Sequence, residues 1–126
     1  MTIKTIESNH APAPVGPYSP ALQVDNLLFI SGQIPLTSTG NLITGDFEAE
    51  TRQVLTNIGA LLKDAGLDFA NVVKIGIFTT DLSQFDLINR VYSEFVHAPF
   101  PARAAVEVAA LPKGARIEME AIARVK

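Results

Sequence analysis

Two residues toward the C-terminal end of this chain can do chemistry together. Arg103 stands in "PFPARAAVEV" (99–108) and Glu118 in "RIEMEA" (116–121). A guanidinium keeps its charge and grips a carboxylate as a two-pronged fork. A glutamate can hold and deprotonate a water, the more so where partial burial raises its pKa. Arginine plus glutamate, without metal or thiol, suits addition of water to a carbon that is already electrophilic and is underpowered for an unactivated amide. Imines and iminium ions are such electrophiles, and an imino acid brings its own carboxylate. Arg103 also reads as half of an ion pair at a subunit interface, with Glu107 or Glu120. The two roles can coexist, because a buried arginine needs a partner without substrate too.

Either role depends on which strand faces carry the charges. Residues 103–109 and 116–125 read as strands split by "LPKGA". Alternation puts Ala104, Val106 and Val108 on one face of the first and Arg103, Ala105 and Glu107 on the other. In the second, Ile117, Met119, Ala121, Ala123 and Val125 oppose Arg116, Glu118, Glu120 and Arg124. The apolar faces are expected to meet helices. The charged faces, with their small alanines, are expected to meet another subunit. A tight hairpin at Lys113-Gly114 sets Arg103 opposite Arg124 and leaves Glu118 about 20 Å away along the strand. If Arg103 and Glu118 act together, then, another strand lies between theirs or the site spans subunits.

Upstream, "APAPVGPYSPA" (11–21) is held by its prolines in extended and turn conformations around Tyr18. Asp25-Asn26, between two apolar runs, predicts a hairpin turn into a strand over 27–31, followed by a loop. Val54, Leu55, Ile58, Leu61, Leu62 and Ala65 fall on one face of a helix over 47–65 that stops at Gly66. The β-branched run 71–82 predicts a strand. A second helix over 83–97, opened by a Ser83/Asp86 capping pair, sets Phe85, Ile88, Tyr92, Phe95 and Val96 on one face, with Asn89 at its edge. The order β-β-α-β-α-β-β predicts one α+β domain over residues 1–126, a mixed sheet with two helices on one face.

Composition narrows the function. Of 126 residues 48% are apolar and 18% charged, so apolar surface is expected to be spent at a subunit interface. The net charge of −3 and ten scattered basic residues give no footing for a nucleic-acid backbone. No apolar run approaches a membrane span, and "MTIKTIESNH" lacks the apolar stretch of a signal peptide. The absence of cysteine excludes disulfides and thiolate catalysis and is consistent with a cytoplasmic location. His10 and His97 are far apart and read as exposed or capping residues rather than metal ligands.

The stretch "PFPARAAVEVAALPKGARIEMEAIA" (99–123) resembles the C-terminal signature of the RidA family, the reactive-intermediate deaminases also called YjgF-type proteins. "GPYSPA", "FISGQIP", "TRQVLTNIGALLKDAG", "VVKIGIFTTDL" and "FDLINRVYSEF" resemble further family segments in the same order, so the resemblance covers essentially the whole chain. It implies a chorismate-mutase-like fold assembled as a homotrimer, with the last strand inserted between earlier ones and sites in clefts between subunits. It also implies hydrolysis of enamine and imine intermediates (2-aminoacrylate, 2-iminopropanoate, 2-iminobutanoate) to 2-keto acids and ammonia, without a cofactor. By this resemblance Arg103 binds the substrate carboxylate and Glu118 holds the attacking water. Tyr18 lines the cleft, Ser31 and Gly32 supply polar contacts, and Asn89 is the helix-edge asparagine. The chain departs from the common pattern at Ala105, where many members carry cysteine, and at Pro20, where the tyrosine loop usually continues with glutamine. Hydrolysis needs no thiol, so the first departure leaves it intact; the second stiffens the cleft rim. The competing readings are a non-catalytic trimer that binds small carboxylates and a ribonuclease or translation inhibitor.

Overall fold

Asp46 opens the first helix, α1 (Phe47–Asp64), by accepting hydrogen bonds from the Glu48 and Ala49 amides, at 3.1 and 3.2 Å. The helix ends at Ala65, and Gly66 takes the left-handed turn beyond it (φ +76°). Val54, Leu55, Ile58, Leu61 and Leu62 are fully buried along its inner face, each worth about 1.5–3 kcal/mol on leaving water. The second helix, α2 (Phe85–Phe95), buries Ile88, Val91 and Tyr92 in the same core. The Ser83/Asp86 pair does not cap it. A 3-10 turn over Leu82–Gln84 intervenes, and Asp81 caps that turn through the Ser83 amide. Val91, fully buried, joins the expected face.

The computed structural model describes residues 2–125. Six strands form one sheet: β1 (Ile3–Ile6), β2 (Ala21–Val24), β3 (Leu27–Gln33), β4 (Val72–Thr79), β5 (Ala102–Glu107) and β6 (Ile117–Arg124). Their spatial order is β1-β2-β3-β6-β4-β5, with β4 and β5 parallel and every other pair antiparallel. The hairpin turn falls where expected, with Asp25 at φ 52°. Strand β1 is an addition to the predicted order. It is an edge strand of four residues with one buried side chain, Ile6, too little pattern to stand out in a polar N-terminus. The strand β6 lies between β3 and β4, so no tight hairpin joins it to β5.

A second expectation is overturned. Arg103 does not point away from the helices. In the β4–β5 register Arg103 lies beside Ile75, Ala105 beside Ile77 and Glu107 beside Thr79, and all three of these β4 residues face the core. Arg103 and its face-mates therefore project toward α2, while Ala104 and Val106 continue the outer face. Alternation identifies which residues travel together. The register with β4 decides which set faces the helices, and apolarity chose the wrong one. Expectation and structure agree on Ile117, Met119, Ala121 and Ala123, which are buried against the helices, and on Glu118 and Glu120, which lie on the outer face; Arg116, expected beside the glutamates, precedes the strand and turns to α1 instead.

The start of β6 is pinned to the start of α1. The Arg116 guanidinium donates through Nε and Nη2 to both oxygens of Glu50, at 2.9 and 2.5 Å, and lies over the Phe47 ring. Glu50 is 2% exposed and also accepts the Asp46 amide at 3.1 Å, so its buried charge is paired and hydrogen-bonded. The Arg116 carbonyl in turn accepts from Thr79 Oγ1 and the Thr80 amide. Removing Arg116 strands a buried carboxylate, although its own side chain is 44% exposed. Arg116→Ala is expected to cost about 2 kcal/mol, read as a lower urea midpoint at unchanged slope, and Glu50→Gln, which keeps an acceptor, to cost less.

Candidate active site

The strand β3 breaks register with β6 between Ile30 and Gln33, and this irregularity sets Ser31 and Gly32 at the mouth of a cleft on the outer face. Ser31 is held in place: its Oγ donates to the Ser19 carbonyl at 2.6 Å and its amide to the Pro20 carbonyl at 2.9 Å. Those bonds tie the proline-rich loop to β3. Tyr18, in that loop, accepts the Val15 amide on its hydroxyl at 3.3 Å and leaves its ring half open to the cleft. Pro20 is buried and lines the same wall. The cleft encloses about 390 Å³, and Glu118 and Glu120 reach into it from β6.

Each glutamate lies over a glycine of a neighbouring strand. A Cβ on Gly32 would come within 2.9 Å of the Glu118 Cδ, closer than real atoms pack. A Cβ on Gly76, the β4 partner of Glu120, would lie 3.2 Å from the Glu120 Cγ. The glycines are there because the carboxylates need the room. Glu118 is half-buried, and burial first, then the Glu120 charge, raises its pKa above the usual carboxylate range. The ionisable groups lining the cleft are Tyr18, Glu118 and Glu120. An adjoining hollow shares Ser31 and Glu120 and adds Lys74 from β4. A half-buried glutamate of raised pKa, facing polar groups, is suited to hold a water and take its proton.

Arg103 lies elsewhere. It projects from β5 to the helix side, where its Nη1 donates to Asn89 Oδ1 at 2.7 Å. Its guanidinium sits 5.4 Å from the Phe85 ring centroid and 5.0 Å from that of Tyr92. Within one chain it meets neither Glu107, which accepts the Leu82 amide, nor Glu120, which is on the other face; the pairing expected at a subunit interface concerns a second copy. The candidate residues thus fall into two groups, Tyr18, Ser31, Gly32 and Glu118 on the outer face, Arg103 and Asn89 on the inner. Within one chain Arg103 and Glu118 are separated by two strand spacings, about 10 Å, by a similar offset along the strands, and by the sheet itself. Three residues escaped the sequence reading. Glu120 was expected at a structural or interface position, yet the i, i+2 spacing from Glu118 already placed both on one face. Phe85 and Tyr92 were read only as core. Among the described residues no three His, Asp or Glu side chains gather where they could hold a metal ion.

The family described as Endoribonuclease L-PSP matches this chain over residues 8–125. Among curated relatives, the 2-iminobutanoate/2-iminopropanoate deaminase of Bos taurus is 50% identical over 121 residues, covering 95% of this chain and 88% of the relative. Among solved structures, RidA from the Antarctic bacterium Psychrobacter sp. PAMC 21119 superposes with a TM-score of 0.93 at 44% identity, covering 97% of this chain and 99% of the other. TdcF of E. coli, crystallised with bound serine, gives a TM-score of 0.93 at 38% identity over 98% and 99% of the two chains.

Two outcomes follow from the glycine-backed glutamates, both read by following the Glu118 carboxyl carbon by NMR across pH. In Glu120→Gln the negative neighbour is gone and the ionised form of Glu118 is favoured, so its titration moves to lower pH. It stays above that of an ordinary glutamate, because burial remains. In Gly32→Ala the protein folds, because the clash falls on the tip of a flexible side chain. The carboxylate is displaced, and Glu118 loses its distinct titration.

Proposed function

The chain belongs to the Endoribonuclease L-PSP family, the YjgF/RidA family, and from that membership we propose that it hydrolyses reactive 2-imino acids to 2-keto acids and ammonia. The observation that carries the reading is the division of the candidate residues between the two faces of the sheet, in a chain half identical to a 2-iminobutanoate/2-iminopropanoate deaminase. One chain cannot bring Arg103 to Glu118, so the site is built from two copies: the cleft of one chain receives the Arg103 edge of another. The outer sheet face supports such an assembly, since Phe29 is 41% and Val106 45% exposed on it. We take the assembly to be a cytoplasmic, chorismate-mutase-like homotrimer with three equivalent sites.

In this site the Arg103 fork holds the substrate carboxylate and fixes the C2 carbon of the imine. Ser31, Gly32 and Tyr18 shape the cleft wall beside it. Glu118 accepts a proton from water as the oxygen bonds to C2 and the C=N electron pair withdraws to nitrogen. The proton then passes to nitrogen, giving the carbinolamine; its hydroxyl proton follows by way of the same carboxylate, so that as the O–H bond breaks and the carbonyl forms, nitrogen takes this proton, the C–N bond breaks and ammonia leaves. An enamine such as 2-aminoacrylate enters after protonation at its methylene carbon gives the imine. The serine bound by TdcF is a small amino acid with the same carboxylate, which supports a ligand of this size. The family's description points to RNA cleavage as the rival reading. Arg52, Arg90 and Arg116 are engaged by glutamates, which leaves few clustered cations for phosphates.

The test generates 2-aminoacrylate or 2-iminobutanoate in situ with a dehydratase and follows keto-acid release. The protein is expected to accelerate it. Arg103→Ala should abolish the acceleration, and Glu118→Gln should lower kcat by about 10²–10⁴ while sparing carboxylate binding. No acceleration by the wild type, with 2-oxobutanoate still bound, turns the reading to a sensor. RNA cleavage lost in Arg103→Ala turns it to a nuclease. Shared sites make a second prediction. The solution mass should be three times the 13.5 kDa chain. The two inactive variants, unfolded and refolded together, should regain about a quarter of the wild-type sites, because a quarter of random neighbours restore both residues.

A further inference from the structure

Arg103 extends from an edge strand and is exposed, a setting in which an arginine ordinarily samples many rotamers and holding it in one costs entropy. Here three side chains of α2 surround its guanidinium. Phe85, Asn89 and Tyr92 follow one another at i, i+4 and i+7, a single stripe of the helix facing β5. The Phe85 and Tyr92 rings stand 5.4 and 5.0 Å from Cζ, and Asn89 takes Nη1 at 2.7 Å. That is the only side-chain hydrogen bond of Arg103 among the described residues, so the Nε–Nη2 edge is left open. With the same edge Arg116 grips Glu50. Tyr92 is 6% exposed, and its hydroxyl is buried without a hydrogen-bond partner. A buried hydroxyl left unpaired is costly, so what Tyr92 offers its surroundings is its ring.

We propose that the Phe85–Asn89–Tyr92 stripe is a seat that holds the Arg103 guanidinium in one pose with its Nε–Nη2 edge presented to a carboxylate, and that Tyr92 is the main positioning residue of substrate capture. The proposal rests on the reading of Arg103 as the carboxylate-binding group. The rings attract the cation through their faces, and Asn89 fixes the rotation of its plane. Ordering the arginine before the ligand arrives removes that cost from binding.

The test compares Tyr92→Leu with Tyr92→Phe in the intact protein. It reads KM and kcat in the dehydratase-coupled assay, 2-oxobutanoate affinity by calorimetry, and the motion of the Arg103 Nε by ¹⁵N relaxation. Tyr92→Leu is expected to raise KM and the 2-oxobutanoate Kd about five- to tenfold, to change kcat less, and to set the guanidinium moving. Tyr92→Phe restores the ring and brings all three back toward wild type. Phe85→Leu, at a less buried position, gives a smaller loss of the same kind and serves if Tyr92→Leu fails to fold. Unchanged KM with a rigid Arg103 in a folded Tyr92→Leu or Phe85→Leu overturns the seat. So does a loss in Tyr92→Phe as large as in Tyr92→Leu, which assigns the effect to the hydroxyl. The relaxation readout needs no turnover. An Arg103 that is rigid in the wild type and released by Tyr92→Leu upholds the seat even in a protein without deaminase activity, and the failure then lies with the proposed function alone.

Discussion

Strand β6 is where the physics of the core and the chemistry of the cleft share one backbone. Side chains along a regular strand such as β6 alternate between faces, so Ile117, Met119, Ala121 and Ala123 can fill the core only if Glu118 and Glu120 leave it. Because β6 runs between β3 and β4 and is hydrogen-bonded on both sides, neither glutamate can shift along the strand. A slip of one residue would bury both carboxylates and expose the core set. The position of the candidate base is therefore fixed by hydrophobic burial on the far side of the sheet, reinforced at the strand's start by the Arg116–Glu50 fork.

The same parity isolates Arg103. Its strand joins the sheet beside β4, and the register that buries Ala105 against the core sends Arg103 to the helix side with it. Ala105 and Arg103 thus share a face, and the small side chain at 105 lies on the arginine's side of the sheet, away from the glutamates of its own chain. Outer-face glutamates and an inner-face arginine put the candidate residues of each chain on opposite sides of the sheet, and this division is the geometric argument for the proposed site assembled from copies.

Much of this was legible in the sequence, and what was not has a physical reason. Helix α1 announced itself through six apolar residues on one arc and a glycine stop, because its stability comes from that stripe. The β6 faces were legible because one set is apolar throughout and the other charged. The β5 faces were read correctly as sets and assigned to the wrong sides, since Ala104 and Val106 look like a core pair and become outer surface only through the β4 register. Asn89 was placed at the helix edge by angle alone, and there it meets Arg103. The near contact of Gly32 with Glu118 had no sequence signal, because it arises between strands 86 residues apart at a local break in register. Strand β1 was invisible because an edge strand needs only one buried side chain.

The two groups of candidate residues also sit in parts of the fold with different local stability. Glu118 belongs to an inner strand with ladder bonds on both flanks and a buried opposite face, so its backbone is released only when most of the molecule unfolds. Arg103 belongs to a rim strand bonded to β4 alone and largely exposed, whose amides open and exchange at lower free energy. Substitutions along β5 can accordingly accumulate with little penalty to the whole fold, while those along β6 cannot. In such an architecture the candidate base is held constant by the requirements of folding, and the candidate carboxylate-binding group is left open to evolutionary retuning.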